Sequence, residues 1–134
     1  MRVLIIGSGG REQAIAWVCR RDGHDVRLAP SLGHADRSDT DLVIPGPEAA
    51  LVDGVADECA LRDLPCFGPT KTLAQLESSK GYARELATSL GIPGPAFRRF
   101  TDELDSPDAA IAWYGELNRP VVVKLDGLAA GKGV

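Results

Sequence analysis

The feature that most constrains the fold is a short apolar run that leads into a glycine-rich turn and then into a helix-forming segment. In the segment 2–6, every residue after Arg2 is apolar, which is typical of a strand covered on both faces by helices. Glycines and a serine fill positions 7–10, and from residue 11 to about 21 the apolar positions recur at helical spacing. A strand, a tight turn and a helix in this order predict an α/β fold with a parallel sheet.

The glycine turn is a candidate anion site, because unpaired N–H groups at the start of a helix face it. The dinucleotide fingerprint is incomplete here, since Glu12 occupies its third glycine position and the next predicted strand stops at Pro30 without an acidic ribose ligand. A single phosphate or phosphosugar suits Gly9 and Gly10 better, with Arg11 as a bidentate contact. The alternative is a structural turn beside a solvated arginine, and the turn alone does not decide between the two.

The next stretch predicts two further strands with turns at their carboxyl ends. Residues 31–41 are polar without a period and are predicted to be a loop, and residues 42–44 are predicted to be a buried strand. Glu48 follows two prolines at the end of that strand, where ligands of open α/β sheets bind. It is either a hydroxyl or amine contact or the first-turn carboxylate of a helix over 49–61. Residues 65–69 predict a short fourth strand.

Two helices are predicted after the fourth strand. Thr70 is expected to cap a short one, and Ser78 a longer one that ends at Gly91. Lys80 lies in the first turn of the longer helix, where the dipole disfavours a cation. A nearby anion would explain it, and a solvated surface lysine is the alternative.

The remaining chain carries turn, helix and strand patterns in alternation. Residues 92–95 resemble a hinge, and residues 96–100 alternate enough for a strand. Ser106 followed by Pro107 predicts a helix start, with an N-cap and a proline at the first position. That helix is expected to end before Pro120.

The final 14 residues predict a phosphate-binding stretch. Three valines suit a buried strand, and the glycines and two lysines that follow suit a phosphate. The spacing is not Walker A, because Gly127 and Gly131 enclose three residues and Gly133 stands where a magnesium-binding Ser or Thr is needed. A lysine on a strand, Lys124, beside a glycine lid that carries Lys132 describes the stretch better.

Composition argues against some partners. The net charge of −4 and the pI of about 5.1 argue against nucleic acid or an anionic membrane as the main partner. The three cysteines are odd in number and widely spaced, which favours reduced thiols in the cytoplasm over disulfides or zinc. No signal peptide is visible, and no apolar run approaches the roughly 20 residues of a membrane helix.

Five segments in the same order resemble the glycinamide ribonucleotide synthetase (phosphoribosylamine-glycine ligase) family of the ATP-grasp superfamily. They are residues 3–12, 46–49, 67–69, 76–80 and 123–134. The last, with DGLAAGKGV intact, is the most specific. The resemblance implies an N-terminal Rossmann-like (pre-ATP-grasp) parallel-sheet domain with a linking helix over 1–92. The start of an ATP-grasp domain, apparently truncated, would follow over 93–134.

The resemblance also implies an activity: ATP-dependent ligation of glycine to 5-phosphoribosylamine, giving glycinamide ribonucleotide, ADP and phosphate, in de novo purine biosynthesis. It places the phosphosugar near four residues, Gly9, Gly10, Arg11 and Glu48. It places ATP near seven others, Lys80, Lys124, Asp126, Gly127, Gly131, Lys132 and Gly133. Mg²⁺ or Mn²⁺ is expected with ligands beyond residue 134, so the chain alone is predicted to be inactive. Whether the protein forms a homo-oligomer is left open.

Two internal features depart from the family pattern. Gln13 stands where the family has a histidine, so a titrating role there is lost. The segment from residue 30 to residue 41 is much shorter, which predicts an altered sheet edge. Two other functions stay open, a non-catalytic phosphosugar- or nucleotide-binding module and a different ATP-grasp carboxylate–amine ligase.

Overall fold

The computed structural model describes residues 1–101 and 105–129, and the chain forms two compact units. Unit 1 is Met1–Ser78 and unit 2 is Ser79–Val134. Each unit is described by itself. The boundary between the two compact units lies after Ser78. The sequence predicts a domain boundary after residue 92 instead, and that boundary stays a prediction.

Unit 1 contains a parallel sheet of three strands, β1 (Arg2–Ile6), β2 (Asp25–Ala29) and β3 (Leu42–Pro45), in the order β2-β1-β3. β1 is central, and its four apolar residues are at most 3% exposed. A central parallel strand is covered on both faces, which is why its sequence is continuously apolar. The α/β prediction is confirmed, and β2 is an edge strand of the described sheet.

Side chains that alternate along β1 enter two separate cores. Val3 and Ile5 pack with a cluster that includes Ala16 of the first helix, and Leu4 and Ile6 pack with a second cluster. The second cluster also contains two loop residues, Leu32 and Ala35, each 4% exposed. The loop at 31–41 is confirmed, but its two buried apolar side chains have no periodicity that the sequence could reveal.

Four helices complete unit 1: α1 (Gly10–Arg21), α2 (Glu48–Asp53), α3 (Val55–Leu61) and α4 (Lys71–Ser78). The prediction of one helix over 49–61 is wrong, because Gly54 has a left-handed φ of 99° and separates α2 from α3. The fourth strand at 65–69 is reduced to a single bridge between Val43 and Cys66.

Unit 2 contains two described helices, α5 (Lys80–Ser89) and α6 (Pro107–Leu117). Ser106 caps α6, as predicted. The predicted cap at Ser78 is wrong, because that residue ends α4, and it is Ser79 whose hydroxyl accepts a hydrogen bond from the Tyr82 N–H at 3.0 Å.

The two strands predicted in unit 2 are absent from the described residues. Residues 96–100 and 121–123 belong to no strand and have no ladder partner there. Val122 is 68% exposed and Val123 is 81% exposed, so the valine run is not a buried strand in this structure. A strand exists only when its backbone groups pair with a neighbour, and local sequence does not supply that neighbour.

Candidate functional site

The carboxyl ends of β1 and β3 bring two loops of unit 1 together. The Gly7 N–H donates to the Ala29 carbonyl at 2.8 Å, and the Gly46 N–H donates to the Ile6 carbonyl at 2.9 Å. Gly9 then serves as the N-cap of the 12-residue helix α1. The amino end of α1 therefore lies beside the β3 loop, and unpaired N–H groups at the start of a helix favour an anion.

Glu12 lies between these two loops and is nearly buried. Its carboxylate accepts a hydrogen bond from the Gly9 N–H at 2.6 Å, and its side chain is 7% exposed. A Cβ on Gly46 would lie 2.2 Å from Glu12 atoms, so the β3 loop can pack this closely only with glycine there. Glu12 thus fixes the shape of the turn without facing the solvent.

Arg11 and Glu48 form an ion pair across the same two loops. The Arg11 Nη2 lies 2.9 Å from the Glu48 Oε2, and the side chains are 59% and 44% exposed. Hydrogen bonds to Glu48 and then to Glu12 raise the pKa of the Arg11 guanidinium. The Glu48 backbone N–H and then Arg11 lower the pKa of the Glu48 carboxyl. Gly9, Gly10, Arg11 and Glu48, predicted from separate segments, are therefore neighbours in this structure.

Asp126 is the centre of a second polar cluster, in unit 2. Its Oδ1 accepts hydrogen bonds from the backbone N–H groups of Lys80 at 2.6 Å and Gly81 at 3.3 Å. Its Oδ2 accepts from the Ser79 hydroxyl at 3.0 Å and pairs with the Arg99 Nε at 3.1 Å. Burial raises the pKa of this carboxyl, but the four hydrogen bonds it accepts from residues 79–81 and 127 lower it by more.

Lys80 contacts the residue that follows Asp126. The Lys80 ammonium donates to the Gly127 carbonyl at 2.7 Å, and Gly127 turns the chain with a φ of 92°. The anion expected near the first turn of α5 is thus the protein's own Asp126 carboxylate. Lys124 is exposed in the same segment. The other predicted ATP residues, Gly131, Lys132 and Gly133, lie outside the described residues.

Sequence reasoning gave no site role to four residues of these clusters, Glu12, Ser79, Gly81 and Arg99. Glu12 was noted only as a break in the glycine fingerprint, although an acid three residues after an N-cap is the pattern of a capping box. Arg99 lies in a stretch without a motif, and no local signal marks it as the partner of Asp126.

A small cavity of about 150 Å³ lies at the opposite end of the sheet from the predicted phosphosugar residues. Arg2 and Asp25 line it where β1 and β2 begin. The two arginines that line it already form ion pairs, Arg2 with Asp41 at 2.6 Å and Arg27 with Asp39 at 2.9 Å. These pairs fasten the 31–41 loop to the sheet, and we assign the cavity no ligand.

Two kinds of feature are absent from the described residues. Over residues 1–101 and 105–129, no three His, Cys, Asp or Glu side chains are grouped as metal ligands would be. Within the same described ranges, no helix has the length and apolarity that crossing a membrane requires.

The sequence is similar to that of known proteins. The family described as phosphoribosylglycinamide synthetase, N domain, matches residues 27–77, and its ATP-grasp (A) domain matches residues 78–134. The chain belongs to the phosphoribosylglycinamide synthetase family. Curated relatives named phosphoribosylamine–glycine ligase are 41% identical in Rhizobium meliloti and 40% identical in Pseudomonas putida. Each is matched by 100% of this chain, which spans 36% of the relative's length.

A solved structure supports the fold. It is a RimK domain ATP-grasp protein of Sphaerobacter thermophilus, 20% identical, with a TM-score of 0.67 over 98% of this chain and 51% of that one. The alignment with the Rhizobium meliloti ligase spans 157 positions, 23 more than the 134 residues of this chain. The relative therefore has internal residues without a counterpart here.

Proposed function

We propose that this chain supplies the phosphosugar-binding unit and the first part of the ATP-binding unit of a ligase. The ligase would join glycine to 5-phosphoribosylamine and split ATP to ADP and phosphate, forming glycinamide ribonucleotide for purine biosynthesis. Family membership supports the reaction. The observation that carries the proposal is the Arg11–Glu48 pair beside the amino end of α1, because it presents a fixed guanidinium where helix N–H groups already favour an anion.

Unit 1 would hold the sugar phosphate by charge and by geometry. Glu48 uses one oxygen on Arg11, which orients the guanidinium and leaves other N–H donors for phosphate oxygens. The raised pKa of the Arg11 guanidinium keeps the side chain cationic at neutral pH. The second Glu48 oxygen is then available to a hydroxyl or the amine of phosphoribosylamine.

Unit 2 would hold the ATP phosphates. Phosphoryl transfer depends on positioning the nucleotide and on neutralising charge spread over the transferred group. Lys80 and Lys124 supply positive charge in the described residues, and the family resemblance adds the Asp126–Gly127 turn with Gly131, Lys132 and Gly133. Glycine would be activated as an acyl phosphate, which the amine of phosphoribosylamine attacks.

A divalent cation belongs to the expected chemistry of this family. The described residues contain no group of side chains that would hold it, so we assign it no residue and no step. The cytoplasmic location, the absence of nucleic-acid and membrane partners, and a homo-oligomeric state stay predictions.

Calorimetry with ribose 5-phosphate tests the phosphosugar site. Arg11→Ala should weaken binding about tenfold or more, because a charge-assisted bidentate contact is lost. Arg21→Ala is a matched control, since Arg21 also lies on α1, is 57% exposed and pairs with an acid at 2.8 Å. It lies in the last turn of α1, away from the glycine turn, and its loss should leave binding unchanged.

Three results would decide between the open functions. Equal effects of the two arginine variants, or no binding by the unchanged protein, would refute the phosphosugar site. Binding of ribose 5-phosphate without binding of ATP would favour the non-catalytic module. Binding of ATP without the sugar phosphate would favour a different ATP-grasp ligase.

A further inference from the structure

One carboxylate gathers donors from three separate segments of unit 2. We call this group the Asp126 clamp, and it consists of Asp126 with Ser79, Lys80, Gly81, Arg99 and Gly127. The segments come together only through the tertiary fold, since Lys80 and Asp126 are 46 residues apart in the sequence.

The carboxylate of Asp126 has little capacity left for a ligand. An ionised carboxylate offers about four lone-pair sites. Three backbone N–H groups contact Oδ1, and the Ser79 hydroxyl and the Arg99 guanidinium contact Oδ2. A further negative group such as a phosphate would be repelled by the same charge.

Gly81 gives an independent sign that the clamp is closely built. A Cβ at Gly81 would lie 2.7 Å from the Arg99 Cδ and 3.2 Å from the Asp126 Oδ2. Any larger residue there would require the Arg99 side chain to shift. Gly81 is buried, so the absence of its side chain is what allows Arg99 and Asp126 to reach the helix backbone.

The clamp fixes the Lys80 side chain relative to the start of the glycine-rich stretch. The Lys80 N–H is bound by Asp126, and the Lys80 ammonium is bound by the carbonyl of the next residue, Gly127. A long flexible lysine that is held at both ends loses little further freedom when a ligand arrives.

We propose that Asp126, supported by Arg99, is a positioning residue for ATP. It acts by holding Lys80 against Gly127 and does not touch the nucleotide. The proposal rests on the proposed ATP-binding function of unit 2. It differs from the resemblance, which counts Asp126 among the residues near ATP, by giving the carboxylate an indirect role.

Amide hydrogen exchange in the absence of ligand tests the clamp itself. Asp126→Ala should speed exchange of the Lys80 and Gly81 amides about tenfold, because Asp126 is their hydrogen-bond acceptor. Asp108→Ala removes an aspartate from the first turn of α6 and should leave both amides unchanged. Unchanged exchange in Asp126→Ala would overturn the clamp, whatever the protein binds.

A double-mutant cycle on ATP binding, measured by calorimetry, tests the indirect role. Lys80→Ala and Asp126→Ala should each weaken binding about tenfold, and the double variant should be no weaker than Lys80→Ala alone. Effects that multiply to about a hundredfold would mean that Asp126 contacts ATP independently, which would overturn the proposal.

The conservative variant Asp126→Asn tests the two carboxylate oxygens of Asp126 separately. An amide keeps one acceptor for the α5 N–H groups but presents donors toward Arg99. Binding intermediate between the unchanged protein and Asp126→Ala is therefore expected. The two experiments can also disagree: the Lys80 and Gly81 amides can lose protection in Asp126→Ala while the unchanged protein does not bind ATP. The hydrogen bonds of the clamp would then be confirmed. The proposed ATP site would be refuted, and with it the role of Asp126 in nucleotide binding.

Discussion

Replacing Gly46 with alanine should destabilise unit 1, and Glu12 is the reason. The added Cβ would lie 2.2 Å from the Glu12 Cγ and from its Oε1, far inside van der Waals contact. Gly46 is not among the glycines with positive φ, so the backbone itself accepts alanine. The cost therefore comes from moving Glu12.

The magnitude follows from what holds Glu12 in place. Its side chain is 7% exposed, and its Oε2 accepts the Gly9 N–H at 2.6 Å. Loss of a hydrogen bond to a charged acceptor costs roughly 1.5–3 kcal/mol, and overpacking adds about 1 kcal/mol or more. We expect Gly46→Ala to lower the free energy of unfolding by about 2–4 kcal/mol.

Urea denaturation followed by circular dichroism measures this change. Glu12→Ala should cost about 2 kcal/mol, since it leaves the Gly9 N–H without its acceptor. The double variant should cost about the same as Glu12→Ala alone, because the new methyl group enters the space that the glutamate leaves. Gly10→Ala is the control. A Cβ at Gly10 meets nothing within 4 Å, and alanine favours the helix by about 1 kcal/mol.

Two outcomes would refute this reasoning. One is a Gly46→Ala variant as stable as the unchanged protein. The other is strict additivity of Glu12→Ala and Gly46→Ala, which would mean that the two positions do not contact each other in solution.

Three further predictions concern other parts of the chain. The hydrogen bond from Arg2 holds the pKa of Asp41 at about 2, below its ordinary 3.8. This carboxylate therefore stabilises the fold above about pH 4, and that contribution disappears as the pH falls toward 2. The melting temperature of Asp41→Asn should fall less steeply with acid than that of the unchanged protein. Ser106→Ala should destabilise α6 by about 1 kcal/mol, because the hydroxyl accepts the Ala109 N–H at 3.3 Å, and amide exchange in α6 measures it. Burial raises the pKa of the Cys59 thiol to about 12, so iodoacetamide followed by mass spectrometry should label it only after unfolding.

Each of these has a control in the same unit. Asp22→Asn removes an exposed carboxylate that pairs with Arg21, and the acid dependence should persist. Ser89→Ala lies near the end of α5 and should leave exchange in α6 unchanged. Cys19 is partly exposed, and labelling of Cys59 as fast as Cys19 in the folded protein would contradict its burial.

The first strand, its glycine turn and the helix after it could be predicted from local sequence, because each depends on neighbouring residues. The same holds for the cap at Ser106, where a hydroxyl and a proline act on the next turn of backbone. The valines at 121–123 misled the prediction, since β-branched residues favour a strand but do not supply its partner. The break at Gly54 was missed for a related reason, because a glycine inside a helical pattern ends the helix only when the fold needs a left-handed residue there.

The sequence by itself determined the α/β class, the glycine turn that opens α1 and the family to which the chain belongs, because these follow from local propensity and from motifs that are contiguous in the chain. Only the tertiary structure decided that Glu12 joins two loops, that Arg11 meets Glu48, and that Asp126 reaches Arg99 and α5. Each of these contacts joins residues from different segments, and their geometry depends on how strands and helices pack rather than on any neighbouring residue.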